Sequence, residues 1–158
     1  MVFAECRFRK TVILVGVIYR SDAYSYKIYS EIIETLAFFT TKYSNVILLG
    51  DYNINFLCPD SPQTRFFKEQ ILDPLDLTQI INKPTRITAT SRTLIDLIIV
   101  NNYPCVKNSG VVDFCVSDHC LTFLSYAVSR PKFKPKIIKK NEILKISLMR
   151  PLGKMLVI

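Results

Sequence analysis

The residues of this chain able to do chemistry are few, and they stand in similar places. His119 is the only histidine in 158 residues, set in Ser117-Asp118-His119 between two apolar stretches. Upstream, Val46-Ile47-Leu48-Leu49 runs into Gly50-Asp51-Tyr52-Asn53, and Asp96 interrupts the apolar run of residues 94–100. A carboxylate can activate water or bind a hard cation, a carboxamide can hold a phosphate oxygen, and an imidazole can move a proton near neutral pH. Asp51 and Asn53 are two positions apart, a spacing that aims both side chains to one side of an extended strand. The same tetrapeptide equally suits an Asx turn that does no more than end the strand. Asp96 is more constraining, because a carboxylate among apolar neighbours must be paired, protonated or bound to a cation. It is either a hydrogen-bonded core residue or the acid that orients an imidazole, and His119 is the one imidazole available.

These groups need a scaffold, and the flanking pattern supplies one. Residues 11–19 are β-branched and apolar without helical period, which reads as a central strand. From 26 to 43 the apolar residues Ile28, Ile32, Leu36, Phe39 and Tyr43 recur at steps of three and four, leaving Glu31, Glu34 and Lys42 outside the stripe of an amphipathic helix. Residues 46–49 form a short buried strand ended by Gly50. A second helix is expected over 64–72, a short strand over 77–81, a polar Thr-rich connection over 83–92 and a strand over 94–100. Strands at 110–116 and 121–128 flank the loop that holds Ser117, Asp118, His119 and Cys120. Strand, helix, strand, helix and then several strands make an α/β (α+β) domain.

Composition sets the boundaries. An apolar fraction of 49% with only four glycines argues for a packed core. The net charge of +8 is not spread evenly: residues 1–129 balance twelve basic against twelve acidic side chains, whereas 130–158 carry nine Lys/Arg and one acid, Glu142. The expected organisation is therefore a domain over 1–129 and a basic linker or tail over 130–158, with a short helix in 137–158. Such a tail attracts polyanions or is simply solvated. The five cysteines are odd in number and none are paired as Cys-x-x-Cys, which suggests free thiols in a reducing compartment. Cys115, His119 and Cys120 lack the fourth ligand and paired spacing of a zinc site. Arg7, Arg9 and Lys10 ahead of residues 11–18 mimic a signal peptide, but no A-x-A cleavage pattern follows and the run is too short to span a bilayer. An intracellular protein, nuclear or cytoplasmic and without a membrane segment, is expected.

The series Gly16-Val17-Ile18-Tyr19-Arg20, Ile47-Leu48-Leu49-Gly50-Asp51-Tyr52-Asn53, Thr85-Arg86, Ser91-Arg92-Thr93-Leu94-Ile95-Asp96-Leu97-Ile98 and Ser117-Asp118-His119 resembles the endonuclease/exonuclease/phosphatase superfamily. More narrowly it resembles the apurinic-type endonuclease domain of non-LTR retrotransposon reverse transcriptase polyproteins, over about residues 11–128. The resemblance implies part of a four-layer α/β/β/α sandwich and a Mg²⁺ (or Mn²⁺) dependent phosphodiesterase acting on DNA, with a reverse transcriptase domain as neighbour in full-length relatives. It implies that Asp51 positions or deprotonates the attacking water and that Asn53 binds the reacting phosphate and helps to hold Asp51. Asp96 would orient His119, which stabilises charge on the phosphate; Asp118 would help bind metal, and Tyr19 would contact the phosphate. The family's domain is longer than the matching stretch, and its first half carries an Asn and a metal-binding Glu with no counterpart here. The expectation is a truncated endonuclease, weak or inactive alone. The alternatives are a non-catalytic relic or nucleic-acid-binding fragment, and a phosphatase or phosphodiesterase of the same fold.

Overall fold

The computed structural model describes residues 1–21, 27–115 and 117–128. Its centre is a five-stranded mixed sheet in the order β1-β2-β3-β7-β4. Strand β1 (Val2–Phe8) forms an antiparallel hairpin with β2 (Thr11–Val17), and β2 runs parallel to β3 (Val46–Asp51) through helix α1 (Lys27–Lys42). Strand β3 then pairs antiparallel with β7 (Asp96–Val100), and the short β4 (Thr78–Gln79) covers the far edge. The unbroken apolar runs of β3 and β7 fit their central positions: Val46, Ile47, Leu48, Ile98, Ile99 and Val100 are all fully or almost fully buried.

Alternation along β3 gives the sheet two different faces. Leu48 lies on one, against Gly16, where any Cβ would collide with Leu48 and the Phe3 ring. Phe3 in turn packs on Phe39 of α1 at 4.6 Å between ring centroids, so the helix covers this face. The buried stripe of α1 comprises Tyr29, Ile32 and Leu36, with Phe39 and Tyr43 half-buried and Glu31, Glu34 and Lys42 exposed. Ile28, also expected in the stripe, lies outside the described side chains. Helix α2 (Pro62–Phe67) begins where the Ser61 hydroxyl caps the Thr64 N–H and proline occupies the first turn. It passes into a wider π-turn over Lys68–Leu72, so the helix expected at 64–72 starts earlier and changes pitch halfway. Phe66 of α2 meets Tyr29 of α1 edge-on.

The other face carries Asp51 and Asp96 at one end and is covered by a hairpin of β8 (Val106–Cys115) and β9 (Cys120–Tyr126). Two short strands, β5 (Arg86–Ile87) and β6 (Arg92–Thr93), form a small separate ribbon inside what the sequence suggested was plain connection. Strand β1 was not expected either. No described helix is long and apolar enough to cross a membrane. The tail at 130–158 and its expected helix lie outside the described residues.

At the end of the sheet away from Asp51, neutral amides join the strands. Asn101 accepts the Val46 N–H at 2.7 Å and donates to the Tyr43 carbonyl at 3.0 Å. Asn45 donates to the Val12 carbonyl and accepts from Asn102 and the Tyr126 hydroxyl.

One cysteine expectation is corrected. Cys115 and Cys120 are joined in a disulfide, leaving Cys6, Cys58 and Cys105 free. The two are opposed in the β8–β9 register at the mouth of a four-residue loop, which is how residues lacking any Cys-x-x-Cys spacing come together. Both sulfurs are consumed, so neither thiol can join His119 as a metal ligand.

Candidate active site

The site is built on the last rung of the β3–β7 ladder. Asp51 ends β3, Asp96 begins β7, and they are direct partners in the antiparallel register. Two carboxylates opposite each other repel, at a cost of about 0.2–1 kcal/mol. His119 arrives from the β8–β9 loop. Its Nδ1 lies 2.9 Å from Asp96 Oδ2 and 3.2 Å from Oδ1. One ligand atom from each of Asp51, Asp96 and His119 fits within 4.8 Å, all three side chains being partly buried. Asp96 thus engages Nδ1 and not the other ring nitrogen, Nε2.

Gly50 makes this rung possible. Its φ is +140°, and a Cβ there would sit 1.9 Å from the Ile18 carbonyl oxygen. Only glycine lets the chain after β2 cross so closely. The ladder consequently continues beyond Val17, with Ile18 N–H on the Leu49 carbonyl at 2.8 Å and Arg20 N–H on the Asp51 carbonyl at 2.9 Å. The strand read as 11–19 is thus regular to Val17 and keeps its pairing for three residues more.

Of the two readings of the Asp51–Asn53 spacing, the structure shows the Asx turn. Asn53 has φ of 48°, in the left-handed region, and its backbone N–H donates to Asp51 Oδ1 at 2.9 Å, an Asx turn. That bond also holds the Asp51 carboxylate. The Asn53 side chain donates to the Arg20 carbonyl at 2.7 Å. Arg20 is 6% exposed and returns two bonds, from Nε to the Tyr52 carbonyl and from a terminal nitrogen to the Asn53 carbonyl. Its role in clamping the loop after Asp51 was not foreseen; its only sequence signal was its place beside Tyr19 in the matching motif.

Tyr19 is 70% exposed, on the chain that continues β2. Asp118 turns away from the trio: its carboxylate accepts from Arg86 Nε at 2.8 Å. That hydrogen bond holds the Asp118 carboxyl below the usual carboxylate range, with the Arg86 charge adding to it and partial burial opposing it. His119 forms an isolated antiparallel bridge with Arg86. Asp118, in the bend just before that bridge, is engaged by Arg86 and is not part of the Asp51–Asp96–His119 group. The structure brings together Asp51, Asp96 and His119, ties Asn53 to Asp51 through its backbone, and sets Asp118 and Tyr19 outside the trio.

Two half-buried carboxylates on facing strands suit a hard divalent cation, which takes one or two carboxylates and keeps its remaining positions for water and phosphate oxygens. Among the described residues no glutamate joins the group.

The sheet, its flanking helices and the β8–β9 hairpin make up a fold shared with two solved structures, an endonuclease domain and an endonuclease/exonuclease/phosphatase family protein. The endonuclease domain of TRAS1, a telomere-specific non-LTR retrotransposon, superposes with a TM-score of 0.67 at 16% identity, over 82% of this chain and 64% of its own. An endonuclease/exonuclease/phosphatase family protein from Leptotrichia buccalis C-1013-b gives 0.52 at 15% identity, over 78% of this chain and 52% of its own. At such identities the likeness is one of fold, and the chain spans less than two thirds of either protein's length. No family model and no curated protein matches the sequence.

Proposed function

We propose that this chain carries the water-activating part of a divalent-metal phosphodiesterase acting on DNA. The observation that carries this reading is the in-register Asp51–Asp96 pair with His119 hydrogen-bonded to Asp96. Phosphoryl transfer asks little covalent chemistry of a protein; it needs positioning and charge stabilisation. Asp51, held by the Asn53 N–H, takes the proton of the attacking water. Asp96 orients the imidazole, and His119 stabilises the charge that develops on the phosphate. Asn53 and the exposed Tyr19 contact the phosphate. A Mg²⁺ or Mn²⁺ ion at this site would neutralise phosphoryl oxygens, with Asp118 helping to hold it once its carboxylate leaves Arg86. The TRAS1 likeness favours a nucleic-acid substrate; an adjoining reverse transcriptase domain in longer relatives rests on the sequence resemblance alone.

With no glutamate in the described group, activity of the chain alone is expected to be weak. The test is nicking of supercoiled plasmid with Mg²⁺ or Mn²⁺, comparing the native chain with His119→Ala. The expected result is slow, metal-dependent nicking that falls by about 10²-fold or more in the variant. A folded native chain that nicks no faster than His119→Ala would overturn the reading in favour of a non-catalytic, nucleic-acid-binding fragment. Cleavage of small phosphate esters but not of DNA would point to a phosphatase of the same fold.

A further inference from the structure

Thr85 lies outside the acid–histidine trio, yet it touches every segment that supplies it except β3. It is fully buried, and its hydroxyl oxygen accepts two consecutive backbone N–H groups, those of Ile95 at 3.1 Å and Asp96 at 2.9 Å. Its own N–H donates to the Thr93 carbonyl at 2.8 Å, and its carbonyl accepts the Cys120 N–H at 2.7 Å. The neighbouring Ile87 N–H reaches the Asp118 carbonyl at 2.7 Å. One residue thus holds the start of β7 through its side chain and the start of β9 through its backbone. These are the two places from which Asp96 and His119 reach each other.

From this geometry we propose that Thr85 is a positioning residue, its hydroxyl setting the Asp96 backbone so that the carboxylate meets His119 Nδ1. The side-chain type matters. A buried N–H must find an acceptor, and valine, nearly the same size, offers none at either Ile95 or Asp96. Serine keeps the oxygen and loses only a methyl group. The backbone bonds to Thr93 and Cys120 survive either change, so valine removes the hold on Asp96 while leaving the His119 loop attached. A sub-ångström shift of an orienting acid is enough to spoil a hydrogen bond of this kind. The proposal deepens the phosphodiesterase reading and rests on it for the reaction served, but not for the Asp96–His119 pair itself.

The single histidine makes the test direct, because the full chain has one imidazole to observe. Nitrogen-15 NMR through the carbon-bound ring protons reports which ring nitrogen carries the proton, without relying on exchangeable hydrogens. In mildly alkaline buffer the native chain should show the Nδ1–H tautomer that Asp96 favours. Thr85→Val should shift the ring toward the Nε2–H tautomer, as Asp96→Asn does, while Thr85→Ser keeps the native pattern. Nicking, where present, should fall about tenfold or more in Thr85→Val and recover in Thr85→Ser. A folded Thr85→Val chain with the native tautomer, a Thr85→Ser chain as disturbed as Thr85→Val, or a Thr85→Val chain that does not fold would each overturn the proposal. Absence of nicking in the native chain would count against the enzymatic reading alone, since the tautomer comparison still judges Thr85.

Discussion

The two ends of the central sheet are joined in opposite ways. At one end Asn45, Asn101 and Asn102 tie strands and loops with neutral amides, each acceptor answered by a donor. At the other, β3 and β7 place Asp51 and Asp96 face to face and answer them with one imidazole. The amide end is satisfied as it stands and contributes to stability. The acid end sets two like charges opposite each other, an arrangement that costs a few tenths of a kcal/mol or more in an antiparallel pair.

That contrast can be broken from either side. The largest effect on folding should come from Asn101→Ala, which strands the buried Val46 N–H and frees the Tyr43 carbonyl. Urea unfolding should show a loss of about 2–3 kcal/mol, with the His119 tautomer unchanged. A change at the acid end should run the other way. Asp51→Asn keeps the oxygen that accepts the Asn53 N–H and removes one of two facing charges, so stability should rise by about 0.5 kcal/mol while nicking is lost. A stability loss instead would show that the pair is already fully compensated. The smallest effect concerns Asp118 and Arg86. Because Asp118's carboxyl is lowered by Arg86, the stability it contributes is fully present above the ordinary carboxylate pKa of about 4 and fades as the pH falls through the lowered folded value. The difference between the native chain and Arg86→Gln should therefore close on acidification, as followed by unfolding between neutral pH and strong acid. A gap that widens toward acid would refute the assignment. The pair is exposed enough for the effect to be slight.

How much of this was legible in the sequence follows from what each part depends on. Strands β3 and β7 and helix α1 announce themselves through burial, which writes long apolar runs or a helical stripe. Strand β1 does not: it lies at the sheet edge with none of its seven residues fully buried, and its Glu5 is engaged by Arg7 and by the Tyr43 hydroxyl. The ribbon β5–β6 is two residues wide and is held by Thr85 bonds that no local pattern encodes. At the site, the pairing of Asp96 with His119 could be argued because an acid in an apolar run needs a partner and only one histidine exists. The pairing of Asp118 could not, since it depends on Arg86, 32 positions away in the chain. The Cys115–Cys120 bond was hidden for a similar reason: five residues of spacing mean little until two strands fold back on themselves.

The Asp51–Asp96 rung also has a consequence in time. Its members are 45 positions apart in the chain, and His119 comes 23 residues after Asp96. Pairings of such separation form slowly, because much chain must be ordered before they bring any gain. During synthesis β1, β2, α1 and β3 can assemble while Asp51 still has neither its opposing acid nor its imidazole. The acid–histidine trio is therefore complete only when the β8–β9 hairpin closes, and a nascent chain that stops before residue 119 lacks its imidazole.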